Sequence, residues 1–299
     1  MNRSIRKAVI PAAGFGTRML PATKSIPKEL LTIVDRPLMD HIVAEAFAAG
    51  IEHVVIVTGR GKGAIEDHFD HGFELDATLR ASGKHALADK IKSQTPGVGS
   101  VSFVRQQEAR GLGHAIWSAR HIIGDEPFAV LLPDMLMIDD TPCLKSMVDM
   151  HSRYGGNLVA VERCKPEDAH KFGIVSLKLS GDGPLINGMV EKPAPGTAPT
   201  NLFISGRYIL NPEVFALLEN QAPGAGGEIQ LTDALVSLMA SQEFRPFEFT
   251  GRTFDCGSPA GFVGANLAMA MMRPELADAM AGEIADAASR LGLLHAKVA

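Results

Sequence analysis

Cysteine is scarce in this sequence, with only three residues in 299, at the widely separated positions Cys143, Cys164 and Cys256. Three such positions supply neither a disulfide framework nor the Cys-x-x-Cys spacing of a zinc site. The small number of cysteines therefore predicts a reducing compartment, and we expect a cytoplasmic protein.

Long apolar runs and blocks of basic residues are missing as well. The first apolar run, at 8–10, is interrupted by Pro11 and two glycines, so it is too short for a membrane span or a cleavable signal. A net charge of −5 and a pI near 6.1 argue against nucleic acid as a partner. We therefore expect a protein that binds neither membranes nor nucleic acids.

Positive charge is nevertheless concentrated at the start of the chain, where residues 1–30 hold six Lys or Arg and one acid. These residues surround a loop, Ala-Ala-Gly-Phe-Gly-Thr-Arg at 12–18, which follows a predicted buried strand. Gly14 and Gly16 allow backbone N–H groups to turn toward an anion. The cations that follow are Arg18, Lys24 and Lys28. The pattern predicts a phosphate-binding loop, although a lone Gly-x-Gly also occurs in turns that bind nothing.

Strands and helices are predicted to alternate along the first half of the chain. Predicted strands there lie at 8–10, 53–58, 100–105 and 128–133. This order predicts right-handed βαβ units and an α/β fold with a Rossmann-like, mostly parallel mixed sheet flanked by helices. Later strands are predicted at 158–162, 172–179, 185–191, 203–210, 247–250 and 252–254, with a helical tail from residue 259.

A second glycine pattern supports an alternative function. Gly59-x-Gly61-x-x-Ala64 follows a predicted strand and formally matches the dinucleotide-binding pattern of a dehydrogenase. Such a site requires an acidic residue at the end of the next strand, about twenty residues further on. Residues 74–93 are instead predicted to form one charged helix, so the dehydrogenase is the less favoured alternative.

The first loop and the residues behind it resemble a known family. Ala-Ala-Gly-x-Gly-Thr-Arg-x-Leu-Pro-Ala-Thr-Lys at 12–24, followed by Pro-Lys-Glu-Leu at 27–30, is similar to the signature of sugar-1-phosphate nucleotidylyltransferases. The resemblance is greatest to the branch that uses UTP and glucose-1-phosphate. It implies a glycosyltransferase-A-like domain at 1–257, with a nucleotide-binding part at about 1–140 and a sugar-binding part at about 141–257. The helices at 258–299 are expected to contact another subunit.

The resemblance also implies which residues form the site. Arg18 and Lys28 match positions that contact phosphates during transfer, and Lys192 matches the lysine that holds the sugar phosphate. The nucleotide-binding positions correspond to Ala12, Ala13, Gly14, Gly16, Thr17, Gln106 and Gly111. The sugar-binding positions correspond to Gly173, Glu191, Lys192, Ile204 and Gly206.

Gln106 matches a glutamine that reads the pyrimidine edge, and an amide can both donate to and accept from uracil. His114 is given no catalytic role, because an ionised phosphate nucleophile needs no general base.

Two aspartates are candidates for a Mg²⁺ site, since Asp134 and Asp255 both follow predicted strands. Ligands of α/β sheets bind at the carboxyl ends of parallel strands, and Mg²⁺ prefers one or two carboxylates plus phosphate oxygens. Aspartates at strand ends also cap helices, so their spacing leaves both interpretations open. The match of Leu-x-Pro-Asp and Asp-Cys-Gly to metal-binding positions of the family favours the metal.

The reaction implied by the resemblance is the Mg²⁺-dependent transfer of UMP from UTP to glucose-1-phosphate by in-line attack, with release of pyrophosphate, in a homo-oligomer (a tetramer or dimer). Two unit charges roughly 4 Å apart repel by about 4 kcal/mol at an effective dielectric near 20, so joining two anions requires cations. The alternatives are dTTP as the nucleotide or another hexose phosphate as the sugar and, from another class, a nucleotide-binding regulator without catalysis. The joint presence of Arg18, Lys28, Asp134, Lys192 and Asp255 argues against the regulator.

Overall fold

Strands and helices alternate through the chain, of which the computed structural model describes residues 3–292. The strands are β1 Lys7–Pro11, β2 Thr32–Ile33, β3 Arg36–Pro37, β4 His53–Thr58, β5 Val101–Arg105, β6 Phe128–Leu131, β7 Met135–Ile138, β8 Asn157–Arg163, β9 Gly173–Ser180, β10 Gly183–Glu191, β11 Leu202–Leu210, β12 Phe244–Glu248 and β13 Arg252–Asp255. The helices are α1 Leu38–Ala48, α2 Gly63–Phe69, α3 Phe73–Ala81, α4 His85–Gln94, α5 Leu112–Ser118, α6 Arg120–Ile123, α7 Cys143–Tyr154, α8 Val214–Asn220, α9 Leu231–Leu238, α10 Pro259–Met271 and α11 Pro274–Arg290. Short 3₁₀ helices lie at Thr17–Met19, Ala22–Lys24, Lys28–Leu30, Pro166–Lys171 and Ala225–Gly227.

One central sheet organises the described part of the chain. Its nine strands include a continuous path in the order β10-β9-β11-β6-β1-β4-β5, and β8 and β12 extend the sheet from β11. The neighbours β6, β1, β4 and β5 are parallel, whereas β11 runs antiparallel to β6, β8 and β9. The predicted Rossmann-like mixed sheet is thus confirmed. Its parallel half brings the carboxyl ends of four adjacent strands to one edge.

The helices cover both faces of this sheet. Val9 of β1 packs in a cluster with residues of α5, α8 and α9 on one face, and Ile10 packs with residues of α1 and α7 on the other. Strands buried on both faces are continuous apolar runs, which is why β1 and β4 were identifiable from the sequence.

Two predicted elements are wrong. Residues 74–93 form two helices, α3 and α4, because the chain turns between them at Gly83 with a φ of +75°. The strand predicted at 247–250 is β12, which begins three residues earlier and includes Pro246. β12 pairs only with β8 in the described sheet, and a proline is tolerated in such an edge strand.

The helical tail is confirmed over the described residues. α10 and α11 follow β13 and pack against each other, and residues 293–299 of the predicted tail lie outside the described part. Among residues 3–292, no helix is both long and apolar enough to cross a bilayer.

Candidate active site

The loop after β1 folds back across the carboxyl edge of the sheet. Ala12 lies beneath it, fully buried, and donates its N–H to the carbonyl of Val57 at 2.7 Å. Gly16 has a φ of +66°, and Thr23 Oγ1 donates to its carbonyl at 2.8 Å. A Cβ on Gly16 would lie 3.2 Å from Cβ of Lys28, whereas one on Gly14 would meet no atom within 4 Å. Gly16 therefore allows the loop to approach Lys28 closely.

Most of the predicted nucleotide-binding residues share one cleft at this edge, with a volume of about 430 Å³. The predicted residues that line it are Ala13, Gly14, Gly16, Thr17, Lys28, Gln106, Gly111 and Asp134. Gly111 has a φ of +99°, and a Cβ there would lie 2.7 Å from Cβ of Glu228. Glu228, which also lines the cleft, was not predicted because it lies more than a hundred residues away in the sequence.

Two carboxylates from different strands meet two cations from the loop region. Lys28 Nζ lies 2.6 Å from Oδ2 of Asp134, and Arg18 Nη1 lies 2.8 Å from Oδ2 of Asp255. Arg18 Nη2 is 3.6 Å from Oδ2 of Asp134, so it links the two acids. Burial opposes the ionisation of Asp134, but Lys28 and Arg18 outweigh it and hold the pKa of Asp134 below its usual value. We name these four side chains the ion cluster.

Neither aspartate serves as a helix cap. The chain continues from Asp134 into strand β7, which pairs with β13, and Asp255 is the last residue of β13. The residue that caps α10 is Ser258, whose Oγ accepts the N–H of Gly261 at 3.2 Å. The capping interpretation is therefore wrong for both acids.

Gly257 keeps the space between the two carboxylates clear. A Cβ at this position would lie 2.5 Å from Arg18 Nη2, 2.8 Å from Asp134 Oδ2 and 3.0 Å from Asp255 Oδ1. Within residues 3–292 no group of three or more His, Cys, Asp or Glu side chains could hold a metal ion. A pair of carboxylates beside an open space suits a small hard cation that takes further oxygen ligands from phosphates.

A buried ion pair that was not predicted lies under the cleft. Glu29 lines the cleft and is almost fully buried, and its Oε2 accepts from Lys62 Nζ at 2.7 Å. Burial lowers the pKa of Lys62, and contact with Glu29 opposes that change. The second oxygen of Glu29, Oε1, has no hydrogen-bond partner in the described chain.

The glycine pattern at 59–64 has a packing role. A Cβ on Gly59 would lie 3.1 Å from the carbonyl oxygen of Ala13, so a glycine lets this turn approach the first loop. Lys62 follows in the same turn, which supplies the cation for Glu29. The residues that suggested a dinucleotide site thus pack against the first loop and pair with Glu29, which lines the cleft.

The predicted sugar-binding residues form a second group. A Cβ on Gly173 would lie 3.0 Å from Oε2 of Glu191 and 3.4 Å from Cδ1 of Ile204, so these three residues are in contact. Thr232 Oγ1 donates to the same Glu191 oxygen at 3.4 Å. Lys192 has a φ of +45°, and its backbone N–H donates to the carbonyl of Phe172 at 3.0 Å. Its side chain forms no ion pair with described residues. A positive φ in a non-glycine residue is uncommon and marks functional sites.

Gly206 and Arg207 connect β11 to the turn that carries Asp134. Gly206 has a φ of +87°, and a Cβ there would lie 2.9 Å from Cγ of Met135. Arg207, fully buried, donates from Nη1 to the carbonyl of Leu132 at 3.2 Å and from Nη2 to the carbonyl of Met135 at 2.8 Å. These contacts bracket Asp134 on both sides in the sequence. We name Arg207 with its acidic partner Glu45, 2.8 Å away, the buried clamp.

A family model described as Nucleotidyl transferase matches residues 7–271 of the chain. The chain belongs to the nucleotidyl transferase family. It is 47% identical to the UTP–glucose-1-phosphate uridylyltransferase of Bacillus subtilis over 92% of this chain and 94% of that one. Membership of the nucleotidyl transferase family confirms the predicted family and removes the support for a dehydrogenase.

Solved structures of nucleotidyl transferases share the fold. A UTP-bound UGPase from Acinetobacter baumannii matches with a TM-score of 0.86 at 40% identity, covering 94% of this chain and 98% of that one. A UDP-glucose pyrophosphorylase complexed with UDP-glucose matches with a TM-score of 0.79 at 41% identity, covering 90% of this chain and all of that one.

Proposed function

We propose that this nucleotidyl transferase joins UTP and glucose-1-phosphate to give UDP-glucose and pyrophosphate. The observation that carries the proposal is the ion cluster, two members of which, Lys28 and Asp134, line the same cleft as the glycine loop. The names of its relatives, and the UTP and UDP-glucose bound in two similar structures, support the choice of substrates.

We propose that Asp134 and Asp255 hold Mg²⁺, with Gly257 leaving room between them. A bound Mg²⁺ would neutralise charge on the phosphoryl oxygens during transfer. Lys28 and Arg18 would then contact phosphate oxygens in place of the carboxylates. Backbone N–H groups of the loop at 13–17 would donate hydrogen bonds to the remaining phosphate oxygens, whereas the N–H of Ala12 is already donated to Val57.

The second group of residues would bind the sugar phosphate. Glu191 would accept hydrogen bonds from sugar hydroxyls, with Gly173, Ile204 and Gly206 shaping the pocket around the ring. Lys192, whose side chain forms no ion pair within residues 3–292, would hold the phosphate. One phosphate oxygen of the sugar then forms a bond to the α-phosphorus of UTP as the bond from that phosphorus to the pyrophosphate oxygen breaks. No proton has to move, because both anions are already ionised.

Pyrophosphate release tests the proposal. Purified protein with Mg²⁺, glucose-1-phosphate and UTP is expected to release pyrophosphate rapidly, and more slowly with dTTP in place of UTP. Omission of the sugar phosphate should abolish release. If no combination of nucleotide and sugar phosphate releases pyrophosphate while UTP still binds, the protein is a regulator and the proposal is wrong.

We also propose that α10 and α11 contact another copy of the chain in a dimer or tetramer. Val263, Leu267 and Met271 are exposed along one stripe of α10, and α11 has no buried residue. Exposed apolar patches of this kind mark interaction sites. Light scattering is expected to give at least twice the 31.8 kDa of one chain. A mass of one chain at micromolar concentration would contradict this.

The domain division stays a proposal too: one domain at 1–257, with its nucleotide-binding part at about 1–140 and its sugar-binding part at about 141–257. Direct pairing of β11 with β6 supports it, since strands of both parts then share one sheet. The three cysteines are unpaired, which supports the proposed cytoplasmic location; cell fractionation would test it.

A further inference from the structure

The side-chain amide of Gln106 is held by two neighbours at the edge of the cleft. Gln106 follows β5 and is 7% exposed. Its Nε2 lies 3.1 Å from the carbonyl oxygen of Gly111 and 2.9 Å from Nδ1 of His114. A carbonyl oxygen can only accept a hydrogen bond, so the atom that faces Gly111 has to be the amide nitrogen. The neighbours of the amide therefore determine its orientation.

The same reasoning determines the state of His114. Because the amide nitrogen donates to it, Nδ1 of His114 has to accept, which places the ring proton on Nε2. Burial and the nearby guanidinium of Arg110 both lower the pKa of His114, which agrees with the neutral ring that the hydrogen bond requires. His114 is also stacked on Trp117, with ring centroids 5.6 Å apart, and this contact restricts its plane.

Only the oxygen of the Gln106 amide is left for a ligand. Both hydrogens of Nε2 are used, and Oε1 accepts no hydrogen bond from the described residues. Gln106 lines the same cleft as Lys28 and Asp134. An oxygen in this position recognises an N–H group and repels another acceptor. At the ring position that distinguishes the two bases, uracil carries N3–H whereas cytosine carries a lone pair.

We propose that His114 is a positioning residue that sets base specificity: it holds the Gln106 amide so that the cleft admits a base with a ring N–H and rejects cytosine. The inference rests on the proposed function and extends it to the choice of base. It gives His114, for which the sequence indicates no catalytic role, a positioning role, and it differs from the expectation that Gln106 both donates to and accepts from the base. Thymine also carries N3–H, so this contact does not separate UTP from dTTP.

Two substitutions of His114 test the inference. His114→Phe keeps an aromatic ring against Trp117 but removes the acceptor, so only the Gly111 carbonyl still holds the Gln106 amide and the amide can turn its Nε2 toward the base. We expect the ratio of kcat/KM for UTP to kcat/KM for CTP to fall by roughly 10- to 100-fold. His114→Asn places an acceptor oxygen on the same side-chain branch as Nδ1, and we expect it to keep the ratio within about threefold of the wild type.

Ser118→Ala is the matched control, because Ser118 Oγ donates to the backbone carbonyl of His114 and not to its ring or to the Gln106 amide. It should leave the ratio unchanged, and thermal unfolding of all three variants verifies that they are folded. An unchanged ratio in folded His114→Phe would overturn the inference. Equal losses in His114→Phe and His114→Asn would also overturn it, since ring packing and not the acceptor would then matter. A wild type that does not turn over UTP would instead refute the proposed function.

Discussion

Asp134→Asn is expected to lower kcat/KM for UTP by roughly 10²- to 10³-fold. The amide keeps the shape of the side chain but removes the charge that Lys28 contacts at 2.6 Å and that Arg18 approaches at 3.6 Å. It also removes one of the two carboxylates proposed to hold Mg²⁺, so the metal concentration at half-maximal rate should rise. Pyrophosphate release over a Mg²⁺ titration measures both effects.

Asp140→Asn is the matched control, since Asp140 is exposed, lies six positions further along the chain and is outside the ion cluster. It should retain the wild-type rate and metal dependence. If Asp134→Asn kept most of its activity at an unchanged Mg²⁺ requirement, the assignment of Asp134 to the metal would be wrong.

Arg207→Met is expected to reduce the free energy of unfolding by about 3–5 kcal/mol. The guanidinium has five N–H donors, and all are used: Nε by Glu45, Nη1 by Leu132 and Gly206, and Nη2 by Glu45 and Met135. The methionine would leave the Glu45 carboxylate, only 9% exposed, without its cation. Urea unfolding of the purified protein gives the difference.

Two further variants distinguish the cost of leaving a buried charge unpaired from the cost of removing an arginine side chain. Arg163→Met removes an exposed pair with Glu248 and should cost less than about 1 kcal/mol. The double variant Glu45→Met, Arg207→Met leaves no unpaired charge and should recover part of the loss. If Arg207→Met were as mild as Arg163→Met, the buried clamp would contribute little to stability.

The parallel half of the sheet was predictable because its strands are buried on both faces. The unbroken apolar run of β4 predicts that strand at its observed bounds, His53–Thr58. The charged residues of the ion cluster could also be found, since each lies in a short motif at the end of a strand, in the first loop or directly behind that loop. In these motifs the residues that determine the local structure and the residues that carry charge are close together in the sequence.

Contacts between distant segments account for what the sequence did not reveal. Glu29 and Lys62 are 33 positions apart, and Glu45 and Arg207 are 162 apart, so no local pattern joins them. Position 257 requires a glycine because three side chains, those of Arg18, Asp134 and Asp255, surround it. These two ion pairs and the need for glycine at 257 depend on the sheet having been assembled. The role inferred for His114 is local, but it follows from the backbone carbonyl oxygen of Gly111, which has no signature in a sequence.

The ion cluster has a consequence for the order in which ligands are accepted. Its two carboxylates and two cations balance each other, so the ion cluster carries no net charge before a ligand enters. A triphosphate alone would have to separate Lys28 and Arg18 from their acids, and a divalent cation alone would have to displace the same two side chains. When both arrive together, each carboxylate would exchange a side-chain cation for the metal, and each side-chain cation would exchange a carboxylate for a phosphate. If Asp134 and Asp255 hold Mg²⁺ as proposed, the resting site would favour the metal–nucleotide complex over either component alone.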